Sequence, residues 1–175
     1  MNHCRYTCRP LGRLSIFRLG LALLLGVFLS GCLEEEKVGL SYHAYNHTDK
    51  SIVSIVINGE GGILGAIDHG EGGGVCCVVL PKKWRPGLMA TIKWQEDDIP
   101  IFNPDGTRKI IDGIPASNES PWKERTVEVP KYGLEMGLFF IHFFPHDEVK
   151  VLVNTYGATS SRHPLPHPSG IKREP

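Results

Sequence analysis

Residues 51–59 read Ser-Ile-Val-Ser-Ile-Val-Ile-Asn-Gly, a β-branched run brought to a stop by an Asn-Gly turn signal. Val and Ile crowd a helical turn at χ1 but fit a pleated sheet, and Asn-Gly tolerates the positive φ angles of a tight turn. The same grammar repeats outward from this stretch. Leu40 to Tyr45 alternates and ends in the turn Asn46-His47-Thr48-Asp49, and Val75 to Leu80 is a short apolar run ended by Pro81, the pattern of a strand covered on both faces. Leu88 to Trp94 follows the turn signal Pro86-Gly87, and Thr126 to Val129 stops at Pro130. Gly137 to Phe144 is strongly aromatic, and Glu148 to Asn154 sets Val151 and Val153 against Lys150 and Leu152. Beyond residue 38 no stretch carries an apolar stripe of period 3.6 over three turns. Seven short strands between Gly, Pro, Asn and Asp predict an all-β domain over residues 39–156. Its expected form is an antiparallel β-sandwich, immunoglobulin-like or barrel-like.

Three regions depart from this pattern. Asn58 to Gly74 holds eight glycines in seventeen residues, yet no phosphate-binding glycine motif is present, and Glu60, Asp68 and Glu71 would repel phosphate. A loop between strands, or a close backbone approach at a bulge, is the expected use of these glycines. Gln95 to Trp122 is a long insertion in which Asn103-Pro104-Asp105-Gly106 can turn a small hairpin. Residues 157–175, with His-Pro, Leu-Pro and Ser-Gly steps and few apolar anchors, are expected to form a flexible tail.

The N-terminus carries an address. Arg5, Arg9, Arg13 and Arg18 precede an apolar segment of eleven residues, Leu19 to Leu29, and no acid occurs before Glu34. Eleven residues are too few to cross a roughly 30 Å hydrocarbon core. Leu29-Ser30-Gly31-Cys32 then reads as a bacterial lipobox. That resemblance implies removal of residues 1–31 as a signal peptide, with Leu29, Ser30 and Gly31 recognised by the peptidase and Cys32 acylated at the new N-terminus. Acyl chains hold a protein to a bilayer at about 0.8 kcal/mol per buried CH₂. The alternative is an uncleaved anchor with Cys32 an ordinary thiol. Residues 32–38 form a short charged tether, and Leu33 stands where an inner-membrane retention signal would place aspartate, so the expected location is the outer membrane facing the periplasm.

Removing the leader leaves 144 of the 175 residues, enough for one domain with a sizeable core. The leader holds four of the 19 Lys+Arg and none of the 19 Asp+Glu, so the remainder carries 15 against 19, a formal charge of −4. That balance argues against nucleic acid as a partner, and no polybasic patch supplements the lipid anchor. Cys4 and Cys8 fall in the leader, so Cys76-Cys77 are the thiols left in the domain. They are either small buried hydrophobes, one on each face of a core strand, or a vicinal disulfide. Adjacent cysteines lack the spacing of structural zinc ligands.

No catalytic constellation is legible. There is no Gly-x-Ser-x-Gly elbow and no His-Glu-x-x-His. His142 and His146 would lie about 13 Å apart along a strand, and His163 and His167 fall in the tail. Glu96, Asp97 and Asp98 are adjacent and read as solvated rather than as carboxylates facing across a cleft. The expectation is therefore no enzyme activity, no cofactor and no metal. Trp84-Arg85-Pro86-Gly87 combines two residue types enriched at interface hot spots with a rigid turn. Trp84 and Arg85, with Glu96, Asp97 and Asp98, are the candidate binding surface. The competing reading has Trp84 and Trp94 bracketing the core while Arg85 covers an edge.

Several of these stretches together resemble a known family. They are Tyr45-Asn46-His47-Thr48-Asp49; Ile57-Asn58-Gly59 with Gly61-Gly62; Gly72-Gly73-Gly74 leading to Cys76-Cys77-Val78 and Leu80-Pro81; then Trp84-Arg85-Pro86-Gly87 and Trp94. Val127-Glu128-Val129-Pro130, Tyr132 and the run ending at Phe144-Pro145 fit more loosely. The chain resembles, from about Leu40 to Asn154, the bacterial lipoproteins termed domain of unknown function 3304. The resemblance implies no assigned enzymatic activity. Members are often encoded beside type VI secretion genes, including those for phospholipase effectors, which implies immunity proteins that block a sister cell's toxin in the periplasm. The expected partners are thus the membrane, through the lipid anchor, and a periplasmic lipase effector. An envelope-maintenance lipoprotein without a cognate toxin is the alternative.

Overall fold

The computed structural model describes residues 35–62 and 65–169. The leader, the lipobox residues Leu29, Ser30 and Gly31, and Cys32 lie outside the described residues. The chain divides at Glu35, and the compact unit Glu36–Pro175 contains every strand named below. Among the described residues no helix is long and apolar enough to cross a membrane.

The unit is a β-sandwich. One sheet has the order β12-β11-β1-β4, formed by Glu148–Asn154, Leu138–Phe144, Lys37–Asn46 and Glu71–Pro81. The other has the order β10-β5-β2-β3, formed by Lys123–Glu128, Met89–Glu96, Ile52–Ile57 and Glu60–Gly62. Pairing within these sheets is antiparallel except between β1 and β11, which run parallel. The run at 51–59 behaves as its residues dictate. Asn58 and Gly59 take φ of 53° and 84°, so Ile57 pairs with Glu60 across a two-residue turn. A register shift between Ile52 and Ser54 lets Ile52, Ile55 and Ile57 all turn inward.

Between the sheets Ile55, Ile57, Ile92 and Trp94 meet Tyr42, Phe139, Ile141 and Phe143, all buried. Trp94 and Phe143 pack with ring centroids 5.4 Å apart. Trp84 is half-buried against this core and donates its indole N–H to the Val129 carbonyl at 2.9 Å. Tyr132 donates its hydroxyl to the Pro81 carbonyl. Arg85 is exposed.

The structure corrects three expectations. Val75 to Leu80 is not a strand covered on both faces: it belongs to β4, an edge strand, with Val79 and Cys76 exposed and Cys77 half-buried. Pro81, which lacks an N–H, is tolerated there because the edge leaves ladder positions unpaired. Of the two readings open for Cys76 and Cys77, the structure holds the vicinal disulfide, formed across a cis peptide bond. Many glycines of 58–74 serve strands rather than a loop, and a Cβ on Gly72 would overlap the Gly65 carbonyl, the close backbone approach that glycine permits.

The third correction concerns the tail. Ala158, His163 and His167 are buried, and Ala158 and Leu165 join Tyr45, Phe140 and Leu152 in a second hydrophobic cluster. The reason lies in strand geometry, where successive side chains alternate between faces. Phe139, Ile141 and Phe143 of β11 fill the sandwich, which sends Phe140 and His142 outward. Residues 156–169 cover that outer face, and the Ala158 N–H donates to the Tyr45 hydroxyl at 2.9 Å.

Candidate functional site

Three features beyond the core could carry function: a histidine layer, a polar cleft beside it, and the insertion after β5. The histidine layer follows from register. β1 sets His43 and Tyr45 beside Phe140 and His142 of β11, on the face covered by residues 156–169. Gly73 pairs with His43 across β4, and a Cβ there would overlap the imidazole, so glycine makes room for the ring. His47 Nε2 lies 3.0 Å from His142 Nδ1, and His142 Nε2 lies 2.9 Å from His163 Nε2. His163 Nδ1 then meets the Tyr156 carbonyl at 2.7 Å. A carbonyl only accepts, so in the neutral chain every donor role follows: His163 donates to Tyr156, His142 to His163, and His47 to His142.

Glu71 sits at the far side of the layer, 3.1 Å from His43 Nε2 and 3.8 Å from His167 Nε2. Burial, reinforced by the neighbouring histidines, pushes His142 down to about 2. Burial, with His167 and His69 nearby, pushes His47 down to about 4. Burial also raises Tyr45; Glu71 adds to the rise and the Ala158 N–H opposes it. Among the described residues no group of three or more His, Cys, Asp or Glu is placed to hold a metal ion.

His47 also lines a cleft of about 420 Å³ whose apolar wall includes Ile52, Trp94 and Phe143. Its polar wall is an ion-pair network. Glu96 is buried and receives Lys50 Nζ at 3.4 Å and Lys123 Nζ at 2.6 Å, while Lys123 also meets Asp147 at 2.7 Å. Burial pulls the Lys123 ammonium down, but Asp147 and Glu96 outweigh it and hold the pKa above the usual lysine value. Asn46, fully buried, closes the adjoining turn. Its side-chain amide donates to the Lys50, Ala66 and Ile67 carbonyls, and its Oδ1 accepts from the Thr48 N–H and hydroxyl. The expected acidic surface patch is therefore divided. Glu96 is neither solvated nor free for a partner, whereas Asp97 and Asp98 are exposed and bond to the Ser51 N–H and the Ser117 hydroxyl.

The insertion is two nested hairpins. β6 (Ile99–Pro100) pairs with β9 (Ser117–Asn118), and within them β7 (Ile110–Ile111) pairs with β8 (Ile114–Pro115). Asn103-Pro104-Asp105-Gly106 makes the expected turn, closed by the Gly106 N–H on the Asn103 carbonyl at 3.0 Å. Asp112 and Gly113 turn the inner hairpin at φ of 51° and 81°. Ile99, Phe102, Ile110, Ile111, Ile114 and Trp122 are exposed, Ile114 by 69 %. Arg108 lies over Phe102 and Lys93 over Trp122, at 5.6 and 5.8 Å from the ring centroids.

The family model described as Protein of unknown function (DUF3304) matches residues 45–151. The chain belongs to this family. The DUF3304 match takes in Asn46, His47 and His142, the whole polar cleft and the whole insertion, and it stops before His163 and His167. No curated protein and no solved structure matches the chain.

Lys123, Asp147, Asn46 and the histidine chain escaped the sequence reading because long-range pairing brings them together. One signal was present. A strand with Phe or Ile at 139 to 141 and again at 143 and 144 has apolar side chains on both faces and so needs two covers.

Proposed function

We propose that this chain is a non-enzymatic lipoprotein of the bacterial envelope, held by acyl chains on Cys32, that binds and inhibits a phospholipase effector delivered into the periplasm by type VI secretion. The observation that carries this reading is the insertion. Large apolar side chains exposed together on a turn-built projection mark an interaction surface, and loops on a rigid scaffold tolerate the variation that matching a partner demands. Arg108 and Lys93 beside aromatic rings add the residue types that anchor interfaces. The lipobox supports the location. With β1 beginning at Lys37, five residues from Cys32, the domain would stand within about 17 Å of its anchor point, where a phospholipase meets its substrate.

The reading is tested in a strain that carries this gene beside a phospholipase effector gene. Deleting this gene while keeping the effector is expected to leave cells susceptible to lysis by sister cells. Wild-type protein should restore protection, and the double variant Ile111→Asp/Ile114→Asp should not. Both positions are exposed, so the double change should move stability by only about 0.5 kcal/mol per site. Unharmed deletion cells would remove the immunity reading.

A further inference from the structure

We propose that the chain His47–His142–His163 is an acid-operated latch that holds residues 156–169 on the outer face of the β12-β11-β1-β4 sheet and releases them when it takes up a second proton. This inference stands independently of the immunity reading.

The supply of donors and acceptors limits how many protons the chain can hold. A neutral imidazole has one of each, and the neutral chain uses both nitrogens of His142 and of His163 with no conflict. One extra proton is accommodated. It enters at His47 Nδ1, and the Nε2 proton of His47 can pass to His142, whose own Nε2 proton can pass to His163. At every stage each contact still has one donor and one acceptor. A second proton cannot be placed in this way. With two imidazoliums in three rings, the 3.0 Å or the 2.9 Å contact sets N–H against N–H. Both contacts are part-buried or buried, where water cannot stand in.

The groups facing the chain add to this repulsion. From β1 come His43 and Tyr45, and from the covering segment come His167 and Arg162, whose guanidinium bonds to the Tyr156 hydroxyl. From β12 comes Lys150, opposite His142 in the register and paired with Glu148. His69, His146, Lys50, Lys123, Asp49, Glu96, Asp147 and Glu148 line the cleft on the His47 side. On the covered face Glu71 of β4 is the carboxylate that meets the cluster, and it is shared between His43 and His167. One carboxylate compensates one imidazolium. With a second imidazolium in the His47–His142–His163 chain, the segment carrying His163 and Arg162 is driven off a face of like sign. Against this repulsion the segment is held by Ala158 and Leu165 in the outer apolar cluster, by edge contacts of the His163 and His167 rings with Tyr45 and Phe140, and by two hydrogen bonds, from the Ala158 N–H to the Tyr45 hydroxyl and from the Asn154 amide to the Arg162 carbonyl.

Hydrogen exchange on the full chain in mild detergent, at about pH 7.5 and about pH 5, tests the latch. After correction for the intrinsic effect of pH, amides of 156–165 should exchange at least roughly tenfold faster at the lower pH, while β5 and β11 stay protected. In His142→Gln, which keeps a donor and an acceptor but does not titrate, that difference should fall below roughly threefold. His163→Gln serves in the same way if the first variant does not fold. Equal protection of the segment at the two pH values would overturn the latch. So would loss of protection in segment and core together, or a Gln variant that opens as the wild type does.

Discussion

Trp94→Ala is expected to cost about 3–5 kcal/mol of folding stability. Trp94 is 2 % exposed, sits on β5 at the centre of the β10-β5-β2-β3 sheet, and packs against Phe143 of the opposing sheet. Truncation removes the largest side chain of the core and leaves a hole flanked by strands whose backbone pairing on both sides, with Lys123 and with Ile55, prevents collapse. The same change opens the wall of the cleft beneath Glu96 and Lys123, which should loosen that ion-pair network as well. Chemical denaturation should show a lower midpoint with an unchanged slope. A loss below about 1 kcal/mol would mean that the two sheets do not close over Trp94 as described.

Acid should destabilise the domain well above the range in which carboxylates protonate. His142 and His47 are held far below the 6.5 of an unfolded histidine, so the unfolded chain binds more protons as pH falls. Stability from these two groups is fully present above about pH 6.5 and is lost as pH drops from there towards the folded-state values. His142 is fully buried and should contribute a slope approaching about 1.4 kcal/mol per pH unit. His47 is only half-buried, and solvent screening makes its share smaller. The loss should flatten once residues 156–169 have left the sheet, because His142 is then exposed. Urea titrations at half-unit steps of pH read this directly. Stability that stays level between about pH 6.5 and about pH 5 would contradict the placement of the histidine layer.

Much of this architecture is legible in the residues. The β-branched run at 51–57, its Asn-Gly stop and the aromatic strand at 138–144 are local signals, and they give the sandwich and most strand positions. The turn at Asn103 to Gly106 is local in the same sense. What escapes is whatever depends on partners distant in sequence. Residues 157–169 are poor in apolar anchors and read as a tail, yet Ala158 and Leu165 suffice because Tyr45, Phe140 and Leu152 already form an apolar face that needs a cover. Glu96 reads as one of three solvated acids; its burial depends on Lys123, which arrives beside it through β10–β5 pairing. The exposure of Ile110, Ile111 and Ile114 was equally hidden, because an apolar residue in sequence does not declare whether it lies inside or out.

The proposed role of the domain is to bind and silence a membrane-directed phospholipase. The most direct measurement is a titration of the purified effector, acting on phospholipid vesicles, with the protein from Leu33 onward. Activity should fall linearly and reach zero near one equivalent, as expected for a tight complex of standard interface size. Ile111→Asp/Ile114→Asp should weaken inhibition by at least roughly 30-fold, the equivalent of one lost hot spot. Full phospholipase activity at about tenfold excess of correctly folded protein would contradict this role.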